Sequence, residues 1–308
     1  MHLRRTSEAH RTALARVGLL ALALGLGACP KRATDGLPPC ARDASNGRRA
    51  GFIERCIQAG DRHFQARATA GELDQALSVY MDALLLDPSS VLVLSRISRA
   101  YAIKGYAWPD DHGESLRLAM EYGQRCMRTA PDVLGAITAS GGQLTVRAIG
   151  SAEEPLAPCM LWTAYAWARS LQARGVAGAS IDLKPLTALA RRVVDLSPDQ
   201  DAGLPHAVLG LSLALAPRPL KPDLTEAGAE LELAVARAPW RLSAKVDLAT
   251  LVYGPRGDQA RWTELLENVA AADPGNREAA ENAAAIACAK EALKAGYPDP
   301  STWWRSAP

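Results

Sequence analysis

The chain has 308 residues, 48% of them hydrophobic and 22% charged, with a formal net charge of +2. Charge this close to balance supplies no basic face, which points away from nucleic acid as a partner. A chain rich in Ala and Leu, with only two Phe, favours helices over sheets.

Residues 1–28 read as a leader, separate from the fold. Arg4, Arg5, Arg11 and Arg16 precede the apolar run 17–27 (VGLLALALGLG), which is too short to span a bilayer. Leu26-Gly27-Ala28-Cys29 resembles a bacterial lipobox, in which cleavage leaves a lipidated cysteine at the new N-terminus. That resemblance makes Cys29 the expected lipidation site. An ordinary secretory signal with an incidental cysteine is the alternative. Two or more acyl chains anchor stably, at about 0.8 kcal/mol per buried CH2. The expected location is the periplasmic side of the envelope, with inner or outer membrane left open. Loss of the leader removes four Arg and one Glu, lowering the net charge to about −1. Residues 29–46, polar and rich in Pro and Gly at their start, read as a flexible tether. No later apolar run approaches a membrane span.

Residues 47–297 read as an all-α domain, and 298–308 as a tail. Helix pairs are expected near 47–86, 90–130, 132–197, 203–238 and 241–273, with a last helix near 276–295. One spacing recurs in them: Ala76-x3-Tyr80-x2-Ala83-x4-Pro88, then Ala119, Gly123, Cys126 and Pro131, then Ala227, Leu231, Ala234 and Pro239. A looser copy runs Leu186, Ala190, Val193, Pro198. Residues three and four apart share a helix face. Small residues there let a neighbouring helix approach, and the proline stops the helix. The spacing resembles tetratricopeptide (TPR) repeats, and implies a TPR-like solenoid of five to six helix pairs, a binding scaffold more than an enzyme. Asp223-x-x-Glu226 has the form of a capping box. Residues 105–113 (GYAWPDDHG) and 216–222 (APRPLKP) read as insertions within pairs. Residues 138–158 read as a long loop able to cover a groove.

Five cysteines follow Cys29. Cys40 and Cys56 bracket a short segment of an exported chain and are expected to form a disulfide. Cys126 and Cys288 are expected as buried thiols. With no C-x2-C and no His at ligand spacing from a Cys, neither a metal site nor a cofactor is expected. Catalytic motifs are weak. The segment 210–214 (GLSLA) reads as mid-helix, not as a strand-to-helix elbow. His63, His112 and His206 stand far apart, beside carboxylates that read as solvated helix faces.

The candidate binding residues are aromatic and basic. Trp162 and Tyr165 share a helix face, with Trp167 pointing elsewhere. They read either as core of a helix pair or as the lining of a groove. Arg96, Arg99 and Tyr101 read either as a solvated face or as polar groups offered to a ligand.

Residues 161–293 resemble the T-components (TatT-type) of TRAP transport systems, which are periplasmic TPR lipoproteins. The features carrying the resemblance are LWTAYAWA, LKPLTALARRVVDLSPDQDAGLPHAVLG, DLTEAGAELELAVARAP, GDQARWTELLENVAAADP and the closing AENAAAIACAKEAL, with Asn282 where the family often has Asn. The closing helix departs from the family, with Ala replacing larger apolar residues. The resemblance implies a membrane-anchored accessory of solute uptake, partnered by a periplasmic solute-binding protein, and homotrimers with ligand-accessible channels. The alternative function is an envelope assembly scaffold without a small-molecule ligand of its own.

Overall fold

Each expected helix pair sits on a run whose apolar residues recur every three to four positions, and such runs bury one stripe against a neighbour. The computed structural model describes residues 40, 49–108, 110, 112–174, 183–215 and 223–298. The leader, Cys29, the tether apart from Cys40, residues 216–222 and the tail beyond residue 298 lie outside the described residues. Those described are all-helical, without a strand, and no helix among them is long and apolar enough to cross a membrane.

The helices are α1 (Arg49–Gln65), α2 (Glu72–Leu86), α3 (Val91–Ala107) and α4 (His112–Met127). The short α5 (Pro131–Ala139) and α6 (Val146–Gly150) follow, then a 3-10 turn, Glu154–Leu156. Next come α7 (Ala157–Arg174), α8 (Leu183–Leu196), α9 (Leu204–Ala214) and α10 (Leu224–Arg237). α11 (Leu242–Leu248) runs on through a π-helical turn, Ala249–Tyr253, and a short α-helical turn, Gly254–Arg256, before α12 (Gln259–Ala270) and α13 (Ala279–Ala295) complete the order. Side-chain caps fix several starts. Ser90 accepts from the Val93 amide, Thr145 from Ala148, and Asp258 from Arg261. Asp223 accepts from the Thr225 and Glu226 amides, but Glu226 spends its carboxylate on Arg191 at 2.6 Å, so only half of the capping box forms.

Packing follows chain order in α1–α2, α3–α4, α7–α8, α9–α10 and α12–α13, while α7 also lies against α3, α4 and α9. The recurring small and apolar residues carry the contacts. Ala76, Tyr80, Ala83, Ala119, Cys126, Leu186, Val193, Ala227, Leu231 and Ala234 are wholly buried. Glycines face two of them. A Cβ on Gly60 would strike the Tyr80 ring, and one on Gly210 would come 2.7 Å from Leu231 Cγ. Close helix approach is what these positions require.

Two expected irregular segments are more helical than their composition implies. In 105–113, residues 105–107 belong to α3 and 112–113 to α4. Gly105 lies inside α3 because Leu116 of α4 packs against it, and His112 Nδ1 bonds its carbonyl at 2.6 Å. The 138–158 segment holds α6 and the 3-10 turn, pinned where Arg192 of α8 donates to the Ala152 carbonyl at 2.8 Å.

Cys40 is disulfide-bonded to Cys56. Cys126, expected as a buried thiol, is bonded to Cys159 and ties α4 to α7. Cys288, also expected to be buried, is a free, exposed cysteine on α13. The Ala-rich run around it offers the same apolar character on every side, so it does not show which face turns inward.

The last helix returns to the first. Arg67, just past α1, meets Glu281 of α13 at 2.8 Å with both side chains about nine-tenths buried, and α13 also packs on α3, α11 and α12. Asn282 binds four backbone groups. Its Oδ1 accepts from the Leu242 amide, and its Nδ2 donates to the carbonyls of Trp240, Pro274 and Arg277, at 3.0–3.1 Å.

Candidate functional site

α3 presents Arg96 and Arg99 three residues apart, hence on one face. α7 starts beside them, and Trp162 sits one turn in. Together with the turn before α7 and the turn after α8 they line a cleft of about 530 Å³. Its walls include Ser95, Glu154, Pro158, Ser197, Gln200 and Asp201. Clefts of this size fall in the range that holds small molecules.

The two arginines are held differently. Arg96 Nε lies 2.9 Å from Asp61, which also accepts from the Tyr80 hydroxyl at 2.6 Å. Burial pushes the Tyr80 hydroxyl well above the ordinary tyrosine range, and the Asp61 bond adds to this. Arg99 lies over two rings, 4.6 Å from the centre of Phe64 and 5.2 Å from that of Trp162. Stacking of this kind holds a guanidinium without consuming its donors. Its carboxylate, Asp201, stands 3.4 Å away, and the buried Arg99 Nε has no acceptor.

Asp201 is placed by an uncommon turn. Asp201, Ala202 and Gly203 all have positive φ, at 45°, 54° and 76°. Glycine adopts this region freely, whereas Ala does so only under constraint. The constraint is Arg241, itself buried, which donates to the Asp201 carbonyl at 2.8 Å and the Ala202 carbonyl at 3.4 Å. Arg241 is in turn held by Glu278 at 2.7 Å. Backbone strain of this kind clusters at functional sites.

The sequence-named residues separate. Arg96, Arg99 and Trp162 meet in the cleft, although Trp162 is only 5% exposed and most of its ring is core. Tyr165 lies one turn deeper, edge-on to Trp162 at 5.6 Å and to Tyr106 at 6.2 Å. Trp167 is half-buried and does not line the cleft. Tyr101 stacks on Tyr122 of α4 at 5.9 Å, also outside it. Glu154 and Asp201 went unnamed in the sequence. Their one signal is local turn chemistry, EEP before α7 and PDQDAG after α8, which marks turns without saying what they face.

Below the cleft, Arg169 and Asp247 form a buried two-pronged pair with both contacts at 2.7 Å. The Arg169 guanidinium lies over the Tyr106 and Tyr165 rings. Burial is the largest influence and opposes its charge, but Asp247 together with the Tyr165 and Tyr106 hydroxyls outweighs it and holds the guanidinium well above its ordinary range. Burial also pushes the Tyr165 hydroxyl up to about 12, with Arg169 pulling the other way. The histidine expectation changes at two positions. His206 is buried and bonds Glu230 at 2.6 Å, and the part-buried His63 bonds Glu72 at 2.7 Å, so those carboxylates are partners and not solvated faces. The segment 210–214 is helical within α9, and Ser212 donates its hydroxyl proton to the Leu209 carbonyl. Among the described residues no three His, Cys, Asp or Glu side chains are grouped to hold a metal ion. No protein-family model matches the chain, and no curated protein is significantly similar to it.

Proposed function

We propose that this chain is a non-catalytic, envelope-anchored accessory of a TRAP-type solute uptake system, built as a TPR-like solenoid, that engages its ligand or partner at the cleft between α3 and α7. The observation carrying the reading is the meeting of the Arg96–Arg99 face of α3 with Trp162 of α7, distant in sequence, at one cleft of ligand size. The resemblance of residues 161–293 to T-components supplies the transport context, and the lipobox-like LGAC supplies the anchor. The proposed partner is a periplasmic solute-binding protein, with homotrimers as the assembly.

The test is capture of the solute-binding protein encoded beside this gene by the mature lipidated chain, compared with Arg99→Gln. Capture that the variant weakens supports the reading. A gene without neighbouring solute-binding and permease genes, or capture indifferent to Arg99, would count against it. An assembly scaffold is the second reading. It is favoured by α13, whose Glu281 joins Arg67 near the start of the described fold while Asn282 ties the turns before α11 and α13 together, as a purely structural device would.

A further inference from the structure

The geometry points to a small zwitterion of the α-amino acid type as the ligand of the α3–α7 cleft. This rests on reading the cleft as the binding site. The charges there are of both signs and unequally spent. Arg96 is neutralised by Asp61 at 2.9 Å. Arg99 is not fully engaged, since its carboxylate, Asp201, stands at 3.4 Å. Glu154 is exposed on the turn before α7. Leaving out the Arg96–Asp61 pair, the cleft holds one positive and two negative side chains. A simple anion would meet Arg99 but be repelled by Glu154 and Asp201. A simple cation would meet no partner on the Arg99 guanidinium and be repelled by it.

A zwitterion meets both demands. Its carboxylate replaces Asp201 on the Arg99 guanidinium, which Phe64 and Trp162 hold in place. Its ammonium lies between the freed Asp201 and Glu154. The strained turn fixes the backbone of Asp201 through Arg241, so ligand entry requires only a side-chain rotation. Trp162, Pro155 and Pro158 leave an apolar wall for the ligand's own side chain.

The test is calorimetry on the full mature chain in detergent, first with the twenty amino acids and then with the best binder's deaminated acid and decarboxylated amine. Saturable binding is expected, at least tenfold weaker when either charge is removed. Glu154→Gln alters an exposed side chain and leaves the fold intact. It should weaken the amino acid tenfold while leaving the deaminated acid unchanged or tighter. No binding by any amino acid at 1 mM, equal binding of the deaminated acid, or indifference to Glu154→Gln would each overturn the proposal. Failure here leaves capture of the solute-binding protein untouched. Loss of that capture with amino-acid binding intact would count against the transport reading alone.

Discussion

At the scale of single residues, burial decides what Trp162 is. With 5% of its surface exposed, it belongs to the core first and to the cleft by one edge. Trp162→Ala is therefore expected to cost about 3–5 kcal/mol through the cavity it opens. A melting temperature within a degree or two of wild type would show that the ring is dispensable to packing. The buried tyrosines make a second prediction. Tyr165, ordinarily at 10.0, is pushed up to about 12, and Tyr106 and Tyr80 are raised as well, chiefly by burial. A folded-state value above the unfolded one means that the fold favours the protonated hydroxyl. That stability is fully present below pH 10 and is lost as pH rises through 12, with Tyr165 alone contributing about 3 kcal/mol. Thermal unfolding from pH 9 to 12 should show the decline, and Tyr165→Phe should reduce it. Tyrosinate absorbance that develops fully near pH 10 with the fold intact would contradict the assignment.

At the scale of elements, helix contacts depend on positions where nothing larger fits. Gly123 of α4 faces α7, and an added Cβ would fall on Thr163 Oγ1 with the Ser98 hydroxyl 3.0 Å away. Overpacking of this kind typically costs 1–3 kcal/mol, so Gly123→Ala is expected to destabilise by about that amount despite the better helix propensity of Ala. Chemical denaturation decides it, and a stabilised variant would mean that α4 and α7 part without cost. Ala119 and Gly123 were readable as contact positions because helical periodicity is local. Their partner was not, because α5 and α6 intervene before α7 arrives.

At the scale of the whole molecule, cross-links and ion pairs join segments distant in sequence. Cys126–Cys159 closes a loop spanning α5 and α6 with a separation of 33 residues, and Arg67–Glu281 spans 214. A loop of that length implies about 3–4 kcal/mol from the disulfide. The double change Cys126→Ala, Cys159→Ala is expected to lower stability by that much. Non-reducing peptide mapping of the wild type should find Cys40 with Cys56 and Cys126 with Cys159, leaving Cys288 to be alkylated. A free Cys126 would remove the link between α4 and α7.

The sequence by itself determined the helical class and the buried stripe of several helices, because an α-helix's period is set within a few residues. Ala76, Tyr80 and Ala83 turn inward for the same reason that their spacing is visible. It also singled out Arg96, Arg99 and Trp162 as side chains able to serve a ligand, since their chemistry is carried by residue type alone. Tertiary structure alone decided that Trp162 meets the two arginines, that Tyr101 and Trp167 stand apart, and that Glu154 and Asp201 join them. It likewise decided that Cys126 finds Cys159 and Arg169 finds Asp247. Each of those outcomes depends on how far and at what angle one helix crosses another, and hydrophobic spacing carries no record of crossing angle or partner.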